Sequence, residues 1–312
     1  MTDQLNLPTG NSTAQLISKD ILPLSASEYS IHQTHPTPLY NILLAALVMT
    51  AIQIALFLLY TWNGSLTQTY LDICRFDCHW YANIALRGYH NISPIPTAPD
   101  LWQTNVAFFP GLPLLGRLVM LLTHTDAQTA IVIASQCATF VFWVYFLVLL
   151  WTWCPTSIIR IAACIGVIVH PISFMMMQGY SESLFMASLL GYMYWSNRAM
   201  RSGSPGQWAL AAVHGIIMTL TRILGVSVIL YPMFLIIFLA LQENYWKRFF
   251  QKFCSAVALS IAALCGALAF FLYCFVAFGE WNLYMQVQSA SWGNKIDYLN
   301  IFRLTSYTSF TK

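Results

Sequence analysis

Charge is what this chain has least of. Asp, Glu, Lys and Arg make up 8% of its 312 residues against 58% hydrophobic, where soluble domains carry about a quarter charged residues. That excludes an ordinary soluble domain. The formal net charge of +3 is small and spread along the chain, so nothing argues for nucleic acid and no such partner is expected. HExxH and CxxC are both absent and the seven histidines are scattered, with HQTH at 32–35 in a polar tail, so no metal set is expected. Arginine is missing from residues 1–38, which are rich in Ser, Thr, Gln and Pro and read as a disordered cytoplasmic tail. A signal peptide is not expected, because the first apolar run is too long for one and lacks a cleavage site after it.

What the chain has instead is long hydrophobic runs, with a mean hydropathy of +0.62. The composition predicts an all-α, multi-pass membrane protein embedded in a bilayer. Seven segments suit spans: 39–61, 128–152, 157–177, 181–197, 207–223, 224–242 and 255–279. An eighth, 106–123, holds Pro110, Gly111, Pro113, Gly116 and Arg117, which suits a juxtamembrane or re-entrant helix better than a lipid-facing span. If it does not cross, Arg160, Arg198, Arg201, Lys247, Arg248 and Lys252 all fall on the side of the N-terminus, as the positive-inside bias requires. Seven spans with the N-terminus inside are therefore preferred over eight. The tail is then 1–38 and the membrane module 39–279. Residues 62–127 form a first exoplasmic loop, and 280–312 a last exoplasmic segment.

Polar chemistry concentrates in RFDCHWYANIALRGYH, residues 75–90. Read as a helix, it puts His79, Asn83 and Arg87 on one stripe and Trp80, Tyr81, Ile84 and Ala85 opposite, the profile of a helix lying in a membrane interface. Asp77 opens it; the plain reading is a loop carboxylate that caps the helix, the sharper one a catalytic acid. Glu182, in QGYSESLF at 178–185, reads either as a helix N-terminal acid with Ser181 as cap or as a site residue. Arg222, in TLTRILG at 219–225, lies inside an apolar run from 207 to 241. An arginine at a bilayer centre costs at least about 2.5 kcal/mol, so it must reach a surface or bind an anion such as phosphate. Cys137, Cys154, Cys164, Cys254, Cys265 and Cys274 lie in or at spans and read as apolar packers. Cys74 and Cys78 could close a bridge, but a four-residue helical spacing strains that geometry, so free thiols are expected. Most tryptophans fall near span ends as a membrane belt; Trp292 lies beyond the last span.

FDCHWYANIALRGY, AFFPGLPLLGR at 107–117, GYSESLF, LTRILG, FGEW at 278–281 and QVQSASWG at 286–293 resemble, in this order, the motifs of the GPI mannosyltransferase II (PIG-V) family and its bacterial relatives. The resemblance covers most of residues 70–293. It implies the GT-C membrane glycosyltransferase module: seven spans, with two juxtamembrane helices and the catalytic acid in the first exoplasmic loop. The implied activity is transfer of a hexose, mannose in the family, from a polyprenyl- or dolichyl-phosphate carrier to a glycan or glycolipid acceptor on the exoplasmic face. No further cofactor is implied. Asp77 matches the family's acid, with Phe76 where the family has Trp. By the same resemblance Arg222, with His79 or Arg117, holds the phosphate, Tyr81, Tyr180 and Glu182 line the pocket, and Gln288 and Trp292 close it. The last two segments look more like the bacterial branch, which favours a bacterial plasma membrane over an endoplasmic reticulum.

Two other classes remain in view. A transporter or channel would use Asp77, Glu182 and Arg222 to bind an ion, but no inverted repeat is visible and the acids sit at span ends. An inactive scaffold subunit would keep the fold and lose the chemistry. Family members usually continue for about a hundred residues more, so a short variant, a fragment and an inactive relative are all compatible with a stop at Lys312.

Overall fold

A computed structural model describes residues 39–90, 104–154, 156–243 and 246–292. The expected tail at 1–38 and the segment 293–312 lie outside these. The described residues form helices joined by turns and irregular segments, with no strand among them. In chain order the helices are α1 (Leu39–Tyr60), α2 (Leu66–Leu71), α3 (Asp77–Arg87), α4 (Gly111–Thr123), α5 (Ala127–Trp153) and α6 (Ser157–Val169). They continue as α7 (Glu182–Ser202), α8 (Pro205–Thr221), α9 (Gly225–Val228), α10 (Tyr231–Glu243), α11 (Trp246–Phe278) and α12 (Leu283–Trp292).

Among the described residues three helices are long and apolar enough to cross a membrane: Leu39–Tyr60, Ala127–Trp153 and Phe249–Phe278. Gly111–Thr123, Ser157–Val169 and Gly225–Leu241 are apolar but shorter. The segment expected as one span at 157–177 is broken. Helix α6 stops at Val169, because Pro171 disfavours helical backbone at His170, and the chain continues as a 3-10 helix, Pro171–Met176. The apolar run from 207 to 241 is also divided, with α8 ending at Thr221 and Arg222 extended at φ −151°, ψ 143°.

Helix α8 packs between α7 and α11, and α5 packs on α7 while carrying α1, α3 and α4 on its other sides. Polar side chains help join the apolar helices, as packing within a bilayer requires. Thr219 Oγ1 donates to the Ala263 carbonyl and accepts from Ala267 N at 3.2 Å, joining α8 to α11. Trp143 Nε1 donates to Gln53 Oε1 at 2.7 Å, joining α5 to α1.

The two ends of this bundle differ in chemistry. At one end Asp77, Glu182 and Arg222 come together. At the other, Lys252 Nζ bonds the Met200 carbonyl beside Arg198 and Arg201, and the Arg160 guanidinium lies 5.3 Å from the Trp151 ring. Helix α4 starts against Thr221 at the Asp77 end, where a Cβ on Gly111 would fall 2.4 Å from Thr221 Oγ1. Helix α5, which follows it, places Ile131 of its second turn against Gly179 at that same end. Both termini of α4 therefore lie toward Asp77, and its exposed face carries Leu114, Leu118, Leu121 and Leu122.

Candidate functional site

Asp77 is the first residue of α3, and its side chain makes no capping bond; the cap position belongs to Phe76. Phe76 takes φ 48°, ψ −115°, a conformation that non-glycine residues keep only where their surroundings enforce it. Both residues lie inside a ring closed by a disulfide between Cys74 and Cys78, whose Cα atoms are 5.2 Å apart. The expectation of free thiols is thus overturned. It assumed helical spacing, whereas Cys74 stands in irregular backbone before α3 begins, where two Cα atoms can reach bonding separation.

The bridge is buried and seats against the turn that opens α7. Gly179 has φ +79°, and a Cβ there would fall 2.7 Å from Cys78 Sγ, so the position needs glycine for both its conformation and its space. Gly179 N donates to Ser135 Oγ of α5 at 3.1 Å. The next three residues reach Asp77 and Arg222. The Tyr180 hydroxyl lies near the Asp77 backbone N–H. Ser181 Oγ accepts from Tyr81 Oη at 2.9 Å and from Arg222 Nη1 at 3.4 Å. Arg222 Nη1 also donates to Glu182 Oε1, forming an ion pair with side chains 38% and 25% exposed. Ser181 therefore does not cap α7 through its side chain, as expected from sequence; it holds Tyr81 and Arg222 instead.

Electrostatics set Asp77 apart. Burial, and after it the Glu182 carboxylate, push the Asp77 carboxyl above the usual range, while the Arg222 guanidinium opposes them. Desolvation outweighs both the helix N-terminus and Arg222 here. The Tyr81 phenol is pushed up strongly by burial and remains a donor.

A second set of contacts ties down the far end of α3. Asn105 is fully buried, accepts from His90 N at 3.1 Å, and donates to Asn83 Oδ1 at 3.0 Å and to the Gly88 carbonyl at 3.1 Å. Gln288 of α12 donates to the Ala107 carbonyl at 3.2 Å. Beside it Phe109 meets Tyr284 edge-on, ring centroids 4.9 Å apart. The charge of Arg222 also reaches the Tyr284 hydroxyl.

Of the residues singled out in the sequence, Asp77, Tyr81, Tyr180, Glu182 and Arg222 form one cluster. Gln288 sits at its edge, holding the last helix to the 105–107 turn. His79 and Arg117 are exposed, and neither makes a side-chain bond to the cluster among the described residues. Trp292 closes α12, but its side chain lies outside the described residues. The sequence did not point to Tyr284 or Asn105, and it misassigned Ser181. No group of three or more potential metal ligands occurs among the described residues. No protein-family model, no curated protein and no solved structure matches this chain.

Proposed function

We propose that this chain is a multi-pass membrane glycosyltransferase of the GT-C kind, resembling GPI mannosyltransferase II. It would move a hexose, mannose by that resemblance, from a polyprenyl-phosphate carrier to an acceptor hydroxyl on the exoplasmic face. One observation carries the reading. Residues scattered over 77–222, each within a motif of the resemblance, converge on one half-buried carboxylate at one end of an apolar bundle.

Asp77 is the general base. It takes the acceptor hydroxyl proton as that oxygen attacks the anomeric carbon, while the bond from that carbon to the carrier phosphate breaks on the opposite face. Phosphate leaves without a strong acid. A carboxyl raised above the usual range is a stronger base than a free aspartate, provided it stays ionised. Arg222 meets the developing charge on the phosphate by exchanging its Glu182 partner for it, which the partial exposure of both side chains permits. Tyr81 and Ser181 fix Arg222 in place, and Tyr180 stands beside Asp77 toward the sugar.

The course of the chain supports seven crossings. On this reading the stretches 39–60, 127–153, 157–179, 182–202, 205–221, 225–243 and 246–278 each cross, with α4 kept to one side, and the position of Arg160, Met200 and Lys252 at the end away from Asp77 supports it. Basic residues at the far end support that end as cytoplasmic. Purified protein in bilayers, given radiolabelled polyprenyl-phosphate mannose and acceptor, tests the assignment. Wild type should bind donor and transfer sugar, and Asp77→Asn should bind without transferring. Transfer by Asp77→Asn at the wild-type rate would refute the base.

A further inference from the structure

Far from Asp77, an apolar groove of about 450 Å³ lies between α1, α5 and α6. Its walls include Met49 and Ile52 of α1, Leu147 of α5, and Cys164 and Ile168 of α6; Arg160 and Ser157 stand at one end. It exists because α6 leans only lightly on its neighbours, packing closely just against the 3-10 helix that follows it. Packed interiors do not leave voids of this size, and an apolar void does not hold water. In a bilayer, hydrocarbon must fill it.

We infer that this groove is a binding site for one acyl chain of an anionic phospholipid, whose phosphate sits against Arg160 and Ser157. Length and charge both favour that occupant. Ser157 to Ile168 rises about 16 Å along α6, which matches the depth of one leaflet of a hydrocarbon core about 30 Å thick. Arg160 is already held at the mouth, over the Trp151 ring at 5.3 Å and donating to Ser157 Oγ at 3.2 Å. A guanidinium fixed beside a hydroxyl recognises a phosphodiester, and it prefers the net anionic lipid because in a zwitterionic headgroup the lipid's own ammonium already offsets the phosphate charge. The other basic residues, Arg198, Arg201 and Lys252, lie at this same end of the bundle, so the lipid belongs to the leaflet opposite Asp77. The inference rests on membrane insertion and is independent of sugar transfer.

Native mass spectrometry of the protein released from mixed phosphatidylglycerol and phosphatidylcholine nanodiscs tests it. Wild type should retain phosphatidylglycerol about fivefold over phosphatidylcholine, the discrimination expected of one arginine at an anionic surface. Arg160→Gln, at the rim, should retain both lipids equally. Cys164→Phe, which fills the groove, should retain neither above background, while Leu272→Phe on the far lipid-facing side of α11 should behave as wild type. Glycerol 3-phosphate added at equal headgroup concentration should displace nothing. Equal retention of the two lipids by wild type would reduce the groove to ordinary annular packing and overturn the inference. Displacement by glycerol 3-phosphate would overturn it in favour of a free-anion site.

Discussion

Two aspartates open helices on the same side of the bundle, and they have opposite fates. Asp126 caps α5: its Oδ1 accepts from Gln128 N at 2.9 Å and Thr129 N at 3.1 Å, and Thr129 Oγ1 donates to Oδ2. The Thr129 hydroxyl, ahead of the backbone donors, holds its carboxyl below the usual range. Asp77 stands one residue inside α3, makes no capping bond, and is pushed the other way by burial. In sequence both are an acid at a helix start. The difference lies in what packs against them: Asp126 faces open surroundings and uses its oxygens on its own helix, whereas Asp77 is walled by Tyr180 and Glu182 from the turn that opens α7 and by Arg222 from the break after α8. A carboxylate satisfied by its own backbone supports the fold; one left out of that bonding is available for chemistry.

That contrast is sharpest in activity. Asp77→Asn should lower transfer by at least about a hundredfold, the scale of lost general-base assistance, and Asp126→Asn should leave the rate unchanged. Equal losses in a steady-state transfer assay would erase the distinction. Arg222→Lys comes next. It keeps the charge and removes the fork, so donor affinity should fall by about 1–3 kcal/mol, read by equilibrium binding, while the folded yield holds. Unchanged affinity would leave Arg222 as a partner for Glu182 and nothing more.

Stability should invert the order. Asp126→Ala should destabilise by about 1 kcal/mol, as loss of a helix cap does, and Asp77→Ala should not destabilise at all in thermal unfolding. The pH dependences run opposite ways as well. Asp126, with its lowered pKa, stabilises the fold above the unfolded value near 3.8 and loses that contribution as pH falls through its folded value. Asp77, with its raised pKa, makes stability decline as pH rises from near 3.8 through its higher folded value. Finest of the effects is the acid limb of kcat/KM. Glu182→Gln should move it to lower pH by removing a like charge, and Arg222→Gln to higher pH by removing the opposing one. Shifts in the reverse sense would mean that a group other than Asp77 controls the limb.

Much of the cluster was legible because charge is scarce in so apolar a chain. Arg222 announces itself by cost and Asp77 and Glu182 by position in the resembling motifs, and the break after Thr221 follows from Arg222 having to leave the apolar run. What escaped notice were residues whose meaning comes from distant partners. Asn105 looks like any loop polar residue until Asn83, Gly88 and His90 surround it. Ser181 has the right position and type for a cap, yet its oxygen is taken by Tyr81 and Arg222. The Cys74–Cys78 bridge was judged by helical spacing, and only the late start of α3 removed that objection. For α6, the length of the hydrophobic run concealed the helix break that Pro171 imposes.

Helices α7 and α8 are joined by a short turn at 203–204, and the Arg222–Glu182 pair latches their other ends together. The two helices also pack on each other between those ends, where a Cβ on Gly191 would fall 2.0 Å from His214 Cδ2, so turn, packed middle and ion pair make one stiff element. An anion that draws Arg222 from Glu182 therefore exchanges one partner for another on a frame that stays closed, so the grip is shaped before its ligand arrives.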